Sequence, residues 1–109
     1  MKTYLEFHGE TRVINIEEEL LKIFKKETKH FKILTGYGKS TGVSKSRQKV
    51  LTVLKKSMEN GKIKGYFPAD VKFKLLDQKS IYFESKLIYE QYIKKDSDYG
   101  NPGIIYVFL

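Results

Sequence analysis

Ile33-Leu34-Thr35-Gly36-Tyr37-Gly38-Lys39-Ser40-Thr41-Gly42-Val43 runs from an apolar pair into three glycines within seven residues, and a long basic helical pattern follows at once. A strand that turns through glycines into a helix leaves backbone N–H groups unpaired at the positive end of the helix dipole, an arrangement suited to a phosphate. Glycine also lets another backbone or a ligand approach closely. Lys39 lies in the turn, and Lys45 and Arg47 fall on the first turn of the expected helix, so formal positive charge gathers at the same place. The N–H groups around Gly36, Gly38 and Gly42, together with Lys39, are thus candidates to hold a phosphate, with Lys45 and Arg47 on the neighbouring backbone. The plainer alternative is a tight strand-to-helix connection that happens to be rich in glycine.

Upstream, Tyr4-Leu5-Glu6-Phe7-His8 alternates and reads as a short strand ended by Gly9. Period two puts Leu5 and Phe7 on one face, and Glu6 and His8 on the other. Asn15 and Glu18 have the spacing of a capping box, and Glu17, Glu18 and Glu19 lie where a helix dipole favours negative charge. Ile16, Leu20, Ile23 and Phe24 then recur at helical spacing, which predicts a helix over about 16–28. Phe31-Lys32-Ile33-Leu34 is the strand that feeds the glycine turn.

Downstream, Val50, Leu51, Leu54 and Met58 form the apolar side of a second helix that stops at Asn60-Gly61. Lys64-Gly65-Tyr66-Phe67 reads as a third strand cut off by Pro68. Between 69 and 79, Val71, Phe73 and Leu75 alternate like a strand with no evident partner. Ser80 is placed to cap a third helix through about Ile93, with Phe83, Leu87 and Ile88 as inward candidates. Residues 96–103 are loop, and Ile104-Ile105-Tyr106-Val107-Phe108-Leu109 is strongly β-prone. Its alternation sets Tyr106 and Phe108 opposite Ile105, Val107 and Leu109. The two rings either line an open sheet face, where they could stack on bases, or lie beneath the inserted segment.

Strands alternating with helices favour parallel neighbours joined by right-handed crossovers. The expected fold class is α/β: a two-layer sandwich, β-α-β-α-β, then an inserted helical segment at about 76–99 and a final strand. At 109 residues, 40% apolar and 14% aromatic, the chain forms one folded domain over 1–109. It contains no cysteine, so a disulfide-linked partner and a thiolate metal site are both excluded. No window approaches the roughly 18 apolar residues of a membrane span. With no long apolar run near Met1, no signal peptide and no membrane partner are expected, and the location is read as cytoplasmic.

The net charge is +8, unevenly spread. Between Lys29 and Lys74 there are twelve Lys or Arg against Glu59 and Asp70, so this segment carries +10 and the remainder −2. Nineteen of the twenty-one cations are lysine and Ala69 is the sole alanine, a bias in usage that explains the number of lysines but not their clustering. Clustered charge of one sign points to a polyanion, and nucleic acid is the commonest.

Two motifs now stand in order. Leu5-Glu6-Phe7-His8-Gly9 resembles the LDLHG motif that opens the Smr (small MutS-related) domain. Thr35-Gly36-Tyr37-Gly38, followed by Gly42 and a basic helix, resembles that family's second motif, TGxG or HGxG. The glycine-containing loop and apolar strand at 101–109 are similar too, so the resemblance covers nearly the whole chain. Glu6 stands where aspartate is usual, Tyr37 where Arg or Lys is common, and about 76–99 is an insertion. The resemblance implies a sandwich like the C-terminal domain of bacterial translation initiation factor three, as in the C-terminal domain of MutS2-type proteins. It also implies nucleic-acid binding and, in many members, endonuclease activity on DNA or RNA; MutS2-type relatives point to branched DNA or ribosome-associated RNA.

Phosphodiester hydrolysis needs an activated water and stabilisation of charge on the phosphate. A carboxylate at Glu6 sharing a strand face with His8 would orient the imidazole or join it at a divalent metal, Mg²⁺ or Mn²⁺, leaving His8 as general base or acid. The expected function is therefore cleavage of DNA or RNA with little sequence preference. A non-catalytic module that docks on nucleic acid or a ribosome through the same basic face is the alternative. A binder of a small phosphorylated ligand is a third reading, disfavoured because the cations spread too widely for it.

Overall fold

The computed structural model describes residues 1–9, 11–36 and 44–109. Its centre is the chain's last strand, whose five side chains are all buried. Both faces of that strand are apolar, which demands cover on both sides of the sheet. The four strands are β1 (Lys2–Tyr4), β2 (Phe31–Leu34), β3 (Gly65–Pro68) and β4 (Ile104–Phe108). They lie in the order β1-β2-β4-β3. β1 and β2 are parallel, with Tyr4 opposite Ile33. β4 runs antiparallel to both β2 and β3, with Leu34 opposite Ile104 and Pro68 opposite Ile105. The result is a mixed sheet with one reversed strand inside it.

Helix α1 (Ile16–Lys26) forms where the apolar stripe predicts it, burying Ile16, Leu20 and Ile23. Its start differs from the expected capping box. Residues Val13–Asn15 make a 3-10 turn that runs into the helix, so Asn15 is itself helical and its side chain caps nothing. Helix α2 (Lys45–Glu59) buries Val50, Val53, Leu54 and Ser57. It ends at Asn60-Gly61 as expected, with Gly61 in the left-handed region at φ +76°. Together α1 and α2 cover one sheet face, packing on Phe31, Ile33, Ile105 and Val107.

The other face is not open. Residues Ala69–Phe73 form a 3-10 turn rather than a strand, and α3 (Phe83–Ile93) lies beyond it. The inserted segment folds over Phe67, Ile104, Tyr106 and Phe108, with Tyr89 stacked on Phe108 at 4.6 Å between ring centres. The molecule is accordingly a three-layer α/β/α domain, which corrects the expected two layers. Two large rings on one face of β4 supply the reason. Each fully buried side chain of that size contributes roughly 1.5–3 kcal/mol, so the insertion is stabilised by covering them. Tyr106 and Phe108 are 0% exposed, so stacking on bases is ruled out for both.

The inserted segment is also tied by charge. Lys32 projects from β2 toward this side, its side chain 8% exposed, and reaches Asp96 and Asp98, each at 2.8 Å. The Tyr106 hydroxyl donates to Asp96 at 2.7 Å, and the Tyr99 hydroxyl donates to Glu90. Ion pairs and tyrosines thus pin the loop before β4 onto the sheet.

Candidate nucleic-acid interface

β1, β2 and β3 point the same way, so their C-terminal ends and the start of β4 share one end of the sheet. That end is where open α/β sheets place ligands. β2 leaves it through Thr35 and Gly36. Thr35 is buried and donates to the Gly103 carbonyl from both its N–H (2.7 Å) and its hydroxyl (3.3 Å). A Cβ at Gly103 would come within 2.9 Å of the Thr35 carbonyl oxygen, so glycine permits the close approach of the two chains. The Gly103 N–H in turn donates to the Asn101 side-chain oxygen at 2.9 Å.

The start of α2 docks on this loop. Ser44 caps the helix, its Oγ accepting the Arg47 N–H at 3.2 Å, and the Arg47 Nε donates to the Pro102 carbonyl at 3.5 Å. A Cβ built on Gly36 would lie 3.4 Å from Ser44 Oγ, so β2's exit and α2's start stand side by side. Gly36 has no left-handed backbone, and a Cβ there would meet Ser44 only at ordinary contact distance, so neither φ nor crowding within the described residues requires glycine at this position. Gly38, Lys39 and Gly42, expected to complete the phosphate cradle, lie outside the described residues.

Lys45, Lys49 and Lys56 recur along one stripe of α2. Lys56 pairs with Glu17 at 3.4 Å, which sets the acidic first turn of α1 against the later part of α2. That contact is about 16 Å along the helix from Lys45, more than a Debye length at physiological salt. Lys45 and Arg47 at the helix start therefore keep their charge largely unscreened by those glutamates. The cluster read from sequence is divided by the fold, however. Lys32 is consumed by Asp96 and Asp98, Lys74 pairs with Asp70, and Lys72 donates to the Tyr99 carbonyl, all on the α3 side.

Glu6 and His8 do not share a strand face. β1 ends at Tyr4, and residues 6–9 form a turn in which the His8 N–H donates to Leu5 O at 3.0 Å and Thr11 N–H to Glu6 O at 2.8 Å. Gly9, at φ +99°, lets the chain reverse. Phe7 is drawn fully into the core while Leu5 is left 58% exposed, the opposite of strand alternation. Both residues remain at the C-terminal end of β1, beside β2. His8 is exposed and Glu6 partly so. No hydrogen bond joins their side chains among the described residues, nor do three His, Asp or Glu groups converge there as a metal cage.

Two groups at this end were not singled out by sequence. Asp70 follows β3, and its Oδ1 is buried with no hydrogen-bond partner among the described residues. Tyr82 packs edge-on against Tyr66. Burial raises its hydroxyl pKa, while the nearby Arg47 charge lowers it and the Asp70 charge raises it. Only the topology, which brings the ends of β2 and β3 to one side, connects them. Ser44 was legible: a serine just before a helical pattern is a cap signal. Comparison of the chain with protein-family models, with curated proteins and with solved structures found no match.

Proposed function

We propose that this domain binds nucleic acid, DNA or RNA, across the start of α2 and the loops at the C-terminal end of its parallel strands. One observation carries the reading: the capped N-terminus of α2, bearing Lys45 and Arg47, is fixed beside Gly36 where the parallel strands end. Helix dipole, backbone N–H groups and formal charge then act on the same phosphate backbone. The Smr resemblance and the likeness to the C-terminal domain of initiation factor three belong to this proposal. The β-α-β-α-β order with a final apolar strand supports them.

In the catalytic form of the proposal, His8 takes or delivers the proton of phosphodiester hydrolysis, with or without a divalent metal, Mg²⁺ or Mn²⁺, beside it. Its exposed position leaves the imidazole accessible to a bound strand. The open turn that separates His8 from Glu6 favours a second reading, binding without cleavage. Incubating the purified protein with labelled single-stranded, duplex and branched DNA and with RNA, with and without Mg²⁺ or Mn²⁺, distinguishes the two. The catalytic form expects shortened products that His8→Ala abolishes. Intact, retarded substrate under every condition supports the binding module, and failure to retard any substrate overturns both.

A further inference from the structure

Helix α3 carries an apolar surface that the fold leaves uncovered. It buries only Ser85 and Ile93 completely, while Leu87 is 72%, Ile88 43% and Tyr92 58% exposed, with Ile81 just ahead of the helix at 51%. Neighbouring exposed apolar side chains of this size mark an interaction surface. A groove flanks the helix on each side. One, of about 230 Å³, is walled by Met58, Ile81, Ile88 and Tyr89, with Lys64 and Glu84 also lining it. The other, of about 210 Å³, is walled by Leu75, Leu76, Phe83 and Leu87, with Lys74, Lys86 and Glu90 also lining it.

The charges on this helix say what fits it. Glu84, Ile88 and Gln91 recur at i, i+4 and i+7 along one stripe of α3, and Lys94 and Lys95 follow in the turn just past the helix end, so acid stands at the start, a neutral stretch in the centre and base beyond the end. Glu84, Lys94 and Lys95 make no ion pair among the described residues. Such a stripe is complementary to a second copy of itself running antiparallel, which a two-fold axis through the helix centre provides. Glu84 of each copy then meets Lys94 and Lys95 of the other, the apolar ridge of Leu87 and Ile88 seats in the facing grooves, and the helix dipoles oppose.

We propose that two copies of this chain associate through α3 about such a two-fold axis. The association is independent of the nucleic-acid reading, since only Met58, near the far end of α2, borders the seam, while Lys45 and Arg47 at the helix start lie more than ten residues away along α2. It would present two basic surfaces on one particle, gripping a long strand more tightly than either alone.

Sedimentation equilibrium of the full chain without nucleic acid, over about a hundredfold range of concentration, tests it. The expected result is reversible association to twice the chain mass. Ile88→Glu should raise the dimer dissociation constant about thirtyfold or more while leaving the circular dichroism spectrum unchanged, because Ile88 lies outside the core. Glu84→Lys should weaken association, and adding Lys94→Glu and Lys95→Glu should restore it. A monomer at every concentration, an Ile88→Glu dimer as tight as wild type, or a charge reversal that restores nothing would each overturn the proposal.

Discussion

Lys32→Met should destabilise the domain by about 3 kcal/mol, the lower end of what breaking a buried ion pair costs. The variant leaves Asp96 and Asp98 facing β2 without their cation, with only the Tyr106 hydroxyl still donating to Asp96. Because both carboxylates are partly exposed, water recovers some of the loss. A chain of this length should show a melting midpoint more than about 10 °C lower. The pH dependence follows from the same contacts. Burial works against the Lys32 charge, but hydrogen bonds and charges from Asp96 and Asp98 outweigh it and hold the ammonium's pKa above its ordinary value of 10.5. For Asp96, burial is likewise outweighed by the Lys32 and Tyr106 hydrogen bonds, and its pKa falls below the ordinary 3.8. The contribution of Asp96 is therefore present above its ordinary pKa and lost as pH falls through the lower folded value. That of Lys32 is present below its ordinary pKa and lost as pH rises through the higher one. Thermal melts of wild type and Lys32→Met should differ by a constant amount near neutrality and converge in acid. A constant difference down to the acid limit would contradict the ion-pair account.

His8→Ala should leave the fold and the affinity for nucleic acid intact within a few-fold and lower cleavage by about 10²–10⁴-fold. His8 is exposed, and its backbone bond to Leu5 survives the substitution, so the turn keeps its shape. Phosphate contacts made from α2 are untouched. Glu6→Gln should lower the rate by less, since no hydrogen bond fixes the carboxylate on the imidazole. Single-turnover cleavage alongside a binding assay separates these effects. Cleavage by His8→Ala at the wild-type rate would remove the catalytic role from this turn, and Asp70, with its unpartnered oxygen, would be the next residue to replace.

The parts of the fold legible in the sequence are those where one period dominates. α1 and α2 each carry a single apolar stripe against charge, and β4 is a continuous β-prone apolar run, so their positions followed from pattern, and for the two helices the inward face as well. The inward face of α3 did not. Leu87 and Ile88 were expected inside and lie outside, because apolar and polar side chains interleave around α3 and leave no face that periodicity can choose. Near the N-terminus, alternation misled. Leu5 and Phe7 imitate a strand, but the left-handed Gly9 turns the chain and sends Phe7 alone into the core. Val71, Phe73 and Leu75 imitate a strand in the same way, yet only Val71 is buried. Charge was legible as a total and not as a surface. Lys32 finds its partner 64 residues away, a pairing that no local pattern records. At the candidate interface, the start of α2 after the glycine turn was legible, whereas the hold of Asn101-Pro102-Gly103 on Thr35 and Arg47 needs the register of β2 with β4.

The most direct test of the nucleic-acid reading is the salt dependence of affinity for a duplex. Lysines and arginine that neutralise phosphates release counterions, each contributing a slope near −0.9 in log affinity against log salt. The wild-type protein should give a slope of magnitude about 3 or more, and Lys45→Ala and Arg47→Ala should each reduce it by about one. An affinity that stays flat from low to moderate salt, or slopes unchanged in both variants, would contradict a phosphate interface at the start of α2.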